Sequence, residues 1–400
     1  MKVTAAEGRL PVPSPQARTS SGLVSDVRIF GVECGIRNLT MVRVETDEGI
    51  TGLGEATLEW HDEPVAASIR ALTHVIAGRD AGRIEYLWQL MLRSGFWRGG
   101  PAHLTALSAI DQALWDIKGK ATGQPVYDLL GGRCRDVVPL YANGPRGSTP
   151  DDYAASAAAL VELGYRAMKV CPVEPTADVD GNQALAHVVD VMRAIRGAVG
   201  PLVRLAIDFH GRLSPAMAIR CSALIEPFDI WFIEEPALPD NIDALSAISR
   251  ATTVPLASGE RWLTRSGFRR ALELRALAVV QPDVAHCGGV SEQRRIAAMA
   301  EVDQVSFAPH NPLGPVGTMA TAHVAMAAPN FLTLERAEGD VSPWRDEIIT
   351  TPASLGGGIL TLTDAPGFGI ELNTDVCLAH PARPVPRPAL SLPDGSFSEW

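Results

Sequence analysis

The sequence predicts an α/β fold: a barrel of eight parallel strands, preceded by a smaller α+β unit. Three observations predict it. From about residue 137 to 340, short apolar runs alternate regularly with Ala-rich amphipathic stretches. These runs are apolar throughout rather than alternating, as strands buried on both faces are. Six of them end in an acidic or imidazole side chain: Asp208 (LAIDFH), Glu234 (IWFIEEP), Glu260 (PLASGE), Asp283 (VVQPD), His310 (VSFAPH) and Glu335 (FLTLE). Their spacing by residue number is 26, 26, 23, 27 and 25, which holds one strand, one helix and two short loops. A parallel barrel aims the carboxyl end of every strand at one mouth, where catalytic groups collect.

The elements follow in order. Residues 1–23 (MKVTAAEGRLPVPSPQARTSSGL) lack the apolar core of a secretory leader and read as a flexible tail. Residues 24–136 form the α+β unit. SDVRIFGVEC and NLTMVRVETDEG alternate as an antiparallel strand pair, and TGLGEATLEW adds a short third strand. Three helical stretches follow: PVAASIRALTHVIAG, RIEYLWQLMLRSG and AHLTALSAIDQALWDIKGKATG. The last carries Leu104, Leu107, Ile110, Leu114 and Ile117 at helical spacing and ends at Gly119 and Gly123. Residues 137–340 carry the barrel, through VVPLYAN, YRAMKV, LVRLAID, IWFIEE, VPLAS, LAVVQPD, QVSFAPH and NFLTLE. Residues 341–400, rich in Gly and Pro, lead back toward the first unit. DVDGN at 178–182 is a turn rather than a calcium loop, because its glycine is misplaced and later ligands are missing.

Composition narrows the function classes. Hydrophobic residues make up 46% and charged residues 20%, the balance of a soluble chain with a large core. The net charge of −11 offers no basic footprint for nucleic acid or an anionic membrane. No apolar run is long enough to span a bilayer. The six cysteines are scattered with no CxxC pair, which points to reduced thiols and a cytoplasmic setting. Dinucleotide, P-loop and GxSxG motifs are absent from the sequence.

The strand ends carry the chemistry. Asp208, Glu234 and Glu260 follow consecutive strands, so their carboxylates converge as ligands for a hard divalent cation such as Mg²⁺. Asp283 and His310 end the next two strands, and a carboxylate on one imidazole nitrogen fixes the tautomer and makes a proton acceptor. His210, two residues past Asp208, is a fourth ligand or an acid, and the acid role suits a Mg²⁺ site better. Glu335 either bonds a substrate oxygen or braces a neighbour. Glu235 points away from Glu234. Lys169 ends the second strand, where a cation binds an anionic substrate or acts as a base. A metal that bridges a carboxylate substrate stabilises the ene-diolate formed when the α-proton leaves. His310 takes that proton and His210 protonates the departing β-hydroxyl, which yields a 2-keto-3-deoxy acid.

These residues resemble those of the enolase superfamily, in its mandelate racemase-like branch, over about residues 24–400. Within that branch the chain looks most like the sugar-acid dehydratases of the D-galactonate dehydratase family. The shared stretches are LTALSAIDQALWDIKGK, DFHGR, FIEEP, the GER turn, QPD, APHNPLGP and the terminal DGSFSEW. The resemblance implies a (β/α)7β barrel, that is a modified TIM barrel, with an α+β capping domain built from both chain ends. It also implies Mg²⁺, His310 as base, His210 as acid, and a symmetric homo-oligomer, either dimer or octamer. One departure stands out. Racemases of this branch carry Lys-x-Lys on the second strand, and here the motif is Lys169-Val170-Cys171, which disfavours epimerisation on two faces. The loop with Trp60 and His61 is expected to cover the mouth. Asn143, Arg146 and Glu174 are further substrate-binding candidates beside Lys169. The expected activity is dehydration of an aldonate such as D-galactonate. An epimerase or cycloisomerase on the same scaffold is the alternative, and a non-catalytic homologue is a third reading.

Overall fold

The computed structural model describes residues 19–338, 342–351, 353–392 and 394–399. The expected tail lies outside the described residues up to residue 18. Strands β1 (Val24–Cys34) and β2 (Arg37–Thr46) form an antiparallel hairpin, and β3 (Thr51–Glu55) joins β2 with Met41 opposite Glu55. Helices α1 (Asp62–Ile76), α2 (Ile84–Arg93) and α3 (Pro101–Thr122) pack with this sheet. Proline at the first turn of α3 needs no helical partner, and Gly123 ends the helix in the left-handed conformation at φ 66°. Gly52 and Gly54 let β3 lie directly on α3, since a Cβ at either would run into the carbonyls of Ala113 and Ala109.

After the short α4 (Val126–Leu129) the chain alternates strand and helix. The elements are β4 (Val138–Asn143), α5 (Pro150–Glu162), β5 (Ala167–Val170), α6 (Ala186–Val199), β6 (Arg204–Asp208), α7 (Pro215–Ile225), β7 (Ile230–Glu234) and α8 (Ile242–Ala251). They continue as β8 (Leu256–Ser258), α9 (Thr264–Glu273), β9 (Val279–Val280), α10 (Gly289–Val302), β10 (Ser306–Phe307), α11 (Pro315–Ala327) and β11 (Leu334–Ala337). Local signals start the helices where the sequence turns. Thr149 and Asp152 form a reciprocal capping box before α5, and Ser214 caps α7 ahead of Pro215.

Neighbouring strands from β4 to β10 pair in parallel. β11 closes the ring by pairing with β4, Glu335 opposite Tyr141, while Phe331 bridges to Phe307 on the other side. This is a (β/α)7β barrel, as the sequence predicts. The β9 and β10 ladders are shorter than the apolar runs LAVVQPD and QVSFAPH. Pro282 has no N–H to donate, and the polar ends of both runs leave the ladder to enter the mouth.

Inside the barrel Ala206, Phe232, Ala257, Val279 and Ala308 form one packed layer, separate from the larger core between strands and helices. Side chains two residues apart on a strand share a face. Two residues beyond four members of that layer stand Asp208, Glu234, Gln281 and His310.

The C-terminal segment divides its contacts. Strands β13 (Ser354–Gly356) and β14 (Ile359–Thr361), which follow β12 (Ile349–Thr350), make a hairpin that pairs antiparallel with the start of β4. Strand β15 (Glu371–Leu372) returns to β12, and α12 (Thr374–Ala379) leads back to β1. There Glu33 N donates to His380 O at 2.9 Å and Ala382 N donates to Gly31 O at 3.0 Å. Among the described residues no helix is long and apolar enough to cross a membrane, and all six cysteines are unbridged.

Candidate active site

Asp208, Glu234 and Glu260 come together at the carboxyl ends of β6, β7 and β8, with one oxygen of each within 4.8 Å of the others. For the first two, the strand period suffices. Glu260 reaches the same place because Gly259, at φ 141°, breaks the alternation after β8. A side chain at Gly259 would press into the ring of Phe268. Asp208 Oδ2 and Glu260 Oε2 are buried and lack an aligned hydrogen bond, their nearest nitrogens being the ion-pair contacts of Lys169, His210 and His310, which is costly for a carboxylate oxygen. Three oxygen donors, two of them without an aligned hydrogen bond, fit a hard divalent cation of the Mg²⁺ type.

Lys169 supplies the balancing charge. Its Nζ lies 3.1 Å from Asp208 Oδ2 and 3.0 Å from Glu335 Oε1, and it also bonds Glu234. The side chain is 2% exposed, so its ammonium faces three carboxylates rather than open solvent. Burial alone would lower its pKa, but Glu234, Glu335 and Asp208 hold it well above the ordinary lysine value. Burial likewise opposes ionisation of Asp208, yet His210 and Lys169 keep it well below the carboxylate range. Burial pushes Glu234 up despite Lys169.

The dyad expected from the sequence forms: His310 Nδ1 is 2.7 Å from Asp283 Oδ2, whose other oxygen accepts from Ala285 N at 2.7 Å. His310 Nε2 turns toward Glu260 Oε2 at 3.5 Å. Burial opposes protonation of His310, but Glu260, Glu335 and Asp283 raise its pKa to about 10. That is the same negative charge a divalent cation would offset. His210 sits on Asp208. Its backbone is left-handed at φ 50°, its N–H donates to Asp208 Oδ1 at 2.8 Å, and its Nε2 lies 3.2 Å from Asp208 Oδ2.

Glu335 is buried and braced: Asn143 Nδ2 donates to Oε1 at 2.7 Å and Asn311 N to Oε2 at 2.9 Å. Arg146 Nη2 donates to Asn143 Oδ1 at 3.2 Å, so Arg146, Asn143 and Glu335 form one chain of contacts. Glu235 turns outward to Arg261 Nη2 at 2.6 Å and Gly259 N at 3.1 Å, which steadies the turn bearing Glu260. Trp60 and His61 lie half-buried in a turn tethered beside the β10 loop. Arg37 Nη1 bonds Glu59 Oε1 at 2.7 Å and lies 3.5 Å from Pro312 O. Glu174 is exposed.

Similarities to known proteins accord with this geometry. The description "Enolase C-terminal domain-like" matches residues 152–376, and "Mandelate racemase / muconate lactonizing enzyme, N-terminal domain" matches residues 33–131. The chain belongs to the enolase superfamily. Among its relatives in the mandelate racemase-like branch, D-galactonate dehydratase of Variovorax paradoxus is 38% identical over 367 residues, covering 90% of this chain and 96% of that protein. D-galactonate dehydratase of Klebsiella pneumoniae is 36% identical over 366 residues, with the same coverage. The solved structure of a mandelate racemase/muconate lactonizing enzyme from Jannaschia sp. CCS1 superposes with a TM-score of 0.85 at 33% identity. It covers 90% of this chain and 98% of that one. An enolase superfamily member from Salmonella Typhimurium gives 0.85 at 32% identity, with the same coverage.

Sequence reasoning missed two neighbours of the trio. Gln281 Nε2 donates to Glu234 Oε2 at 2.6 Å, and Tyr141, buried inside the barrel, adds a hydroxyl without a hydrogen-bond partner. The strand period held the signal for Gln281, which stands two residues after Val279. It also missed Cys171 as a partner of His210, since nothing local links residues 39 apart in sequence.

Proposed function

We propose that this hydro-lyase dehydrates a polyhydroxylated sugar acid, an aldonate such as D-galactonate or a relative, to a 2-keto-3-deoxy acid. The observation that carries the reading is the placement of two imidazoles on two different carboxylates of one trio, His310 on Glu260 and His210 on Asp208. A proton acceptor and a proton donor are what α-proton removal and β-hydroxyl loss require. A Mg²⁺ ion held by Asp208, Glu234 and Glu260 would supply the positive charge that stabilises the ene-diolate. His310, oriented through Nδ1 by Asp283, takes the C2 proton on Nε2. His210 delivers the proton from its Nε2 to the leaving 3-hydroxyl, which departs as water. The resulting enol tautomerises to the keto acid. Asn143 and Arg146, linked to Glu335, bind substrate oxygens, and the turn with Trp60 and His61 covers the mouth. Lys169, enclosed by carboxylates, serves the charge of the site rather than the substrate carboxylate. The names of the curated relatives support the choice of substrate class.

Proton NMR in D₂O with Mg²⁺ and a panel of aldonic and aldaric acids tests the reading. The expected result is a deuterated 3-deoxy signal that EDTA suppresses. His310→Asn should abolish C2 exchange, and His210→Asn should spare exchange while slowing hydroxyl loss by about 100-fold or more. Normal dehydration by both variants would overturn the assignment. A product of unchanged mass would move the reading to an epimerase or cycloisomerase.

A further inference from the structure

The turn that carries Trp60 and His61 adopts a conformation its own residues do not favour. Trp60 stands at φ 61°, in the left-handed region that a bulky side chain rarely enters. Helix α1 begins directly after the turn with no side-chain cap. A residue held this way persists only where its surroundings fix it. Two neighbours on β2 supply part of that: Arg37 holds Glu59, and the amide of Asn38, 6% exposed, is engaged on both sides. Asn38 Nδ2 donates to Asp62 Oδ2 at 3.1 Å, in the first turn of α1, and to Arg383 O at 2.7 Å. Its Oδ1 accepts from Arg383 N at 3.1 Å, so the side chain pairs with the backbone of residue 383 as a strand would. Four residues on, Arg387 Nη2 donates to Trp60 O at 3.1 Å.

We propose that residues 381–387 form a strap that positions the Trp60 turn over the mouth, with Asn38 and Arg387 as its positioning residues. The inference rests on the reading of Trp60 and His61 as the cover of the substrate. The strap is stiff by composition. Pro381, Pro384, Pro386 and Pro388 each fix φ, and Arg383 and Arg387 both precede a proline, which holds their backbones extended. It is also anchored away from the mouth. Val32 on β1, the edge strand of its sheet, bridges antiparallel to Pro381, and Arg383 Nη2 lies 2.9 Å from Glu33 Oε1. A short rigid segment fixed at Pro381 and Arg383 brings Arg387 to one place with little conformational freedom left to lose. There the guanidinium meets the Trp60 carbonyl as the left-handed turn presents it, and an extended Trp60 would turn that carbonyl elsewhere. Holding the turn in one geometry prepares the cover for substrate before it arrives.

The test compares Arg387→Ala, Arg387→Lys and Asn38→Ala in the full-length Mg²⁺ enzyme. Amide hydrogen exchange over residues 56–62, where His61 N donates to Leu58 O at 3.0 Å, reads the turn directly. Exchange over α3 is the control for global stability. Arg387→Ala should speed exchange in the turn by about fivefold or more and leave α3 unchanged. With the sugar acid that wild type dehydrates, it should raise KM by about three- to tenfold and keep kcat within about twofold, the pattern of binding lost equally from ground and transition states. Lysine keeps a donor and should restore most of both values. Asn38→Ala, which frees Asp62 and Arg383 together, should loosen the turn further. Wild-type exchange in the turn of both alanine variants would overturn the proposal, and so would faster exchange with an unchanged KM. If wild type dehydrates no sugar acid, the functional reading fails instead, and the exchange rates still decide whether the strap holds the turn.

Discussion

Lys169 shows how one residue can be visible in sequence while its task is not. A lysine ending the second strand is legible as a cation at the mouth. That its ammonium is enclosed by Asp208, Glu234 and Glu335 is not, because those carboxylates come from strands 39, 65 and 166 residues away. Such a group is strongly coupled to whatever else neutralises the trio. Removing one partner of a buried charge cluster costs about 3–5 kcal/mol, since the remaining charges lose their compensation. Lys169→Met should therefore be markedly less stable than wild type in EDTA. Any cation that binds only the folded state stabilises it by mass action, and the uncompensated trio should bind one more tightly. Thermal melts with Mg²⁺ and with EDTA check this: the Mg²⁺-induced rise in Tm should be larger in Lys169→Met than in wild type. Equal rises would mean that Lys169 and the metal do not share the same charge.

At the scale of elements, legibility followed burial. Strands β4 to β8 and β11 coincide with apolar runs because both of their faces are covered, which leaves a continuous hydrophobic signal. Strands β9 and β10 shrink to two residues each, since their runs end in Gln281-Pro282-Asp283 and Ala308-Pro309-His310, which serve the mouth. The hairpin of β13 and β14 had a legible turn in its glycines but no legible partner, and its pairing with β4 depends on tertiary placement. The contact of β3 with α3 is also tertiary, yet it leaves a trace in Gly52 and Gly54. Filling Gly54 would push the sheet off the helix, and overpacking a tight core costs about 1–3 kcal/mol or more. Gly54→Ala should lower stability by about 3 kcal/mol in urea titrations. Gly181→Ala, where a Cβ meets nothing within 4 Å, should leave it nearly unchanged. Similar midpoints for the two variants would show that β3 can move away from α3 at little cost.

Across the whole molecule, the α+β unit and the barrel are joined through buried carboxylates. Glu55, at the end of β3, accepts from Gly314 N at 2.7 Å and Gly317 N at 2.9 Å, at the start of α11. Asp111 on α3 accepts from Ser291 N at 3.0 Å and Ser291 Oγ at 2.6 Å, in the first turn of α10. The hydrogen bonds at helix starts favour the charged form, but burial outweighs them and pushes both groups to about 7. In the unfolded chain they titrate near 4.5 and 3.8. Between those values and about 7 the folded state therefore binds more protons than the unfolded one. The sign follows: their contribution to stability is present in acid, and it is lost as pH rises through this window. Each pH unit across which a group is protonated in the fold but ionised in the unfolded chain is worth roughly 1.4 kcal/mol, so Asp111 alone accounts for about 3 kcal/mol between about pH 4.5 and 7.5. Asparagine does not titrate, so Asp111→Asn should flatten the fall in unfolding free energy over that interval by about this amount. Urea denaturation of wild type and variant at both pH values measures the difference. Parallel pH profiles would mean that Asp111 stays ionised in the fold, held so by the α10 start rather than protonated by burial.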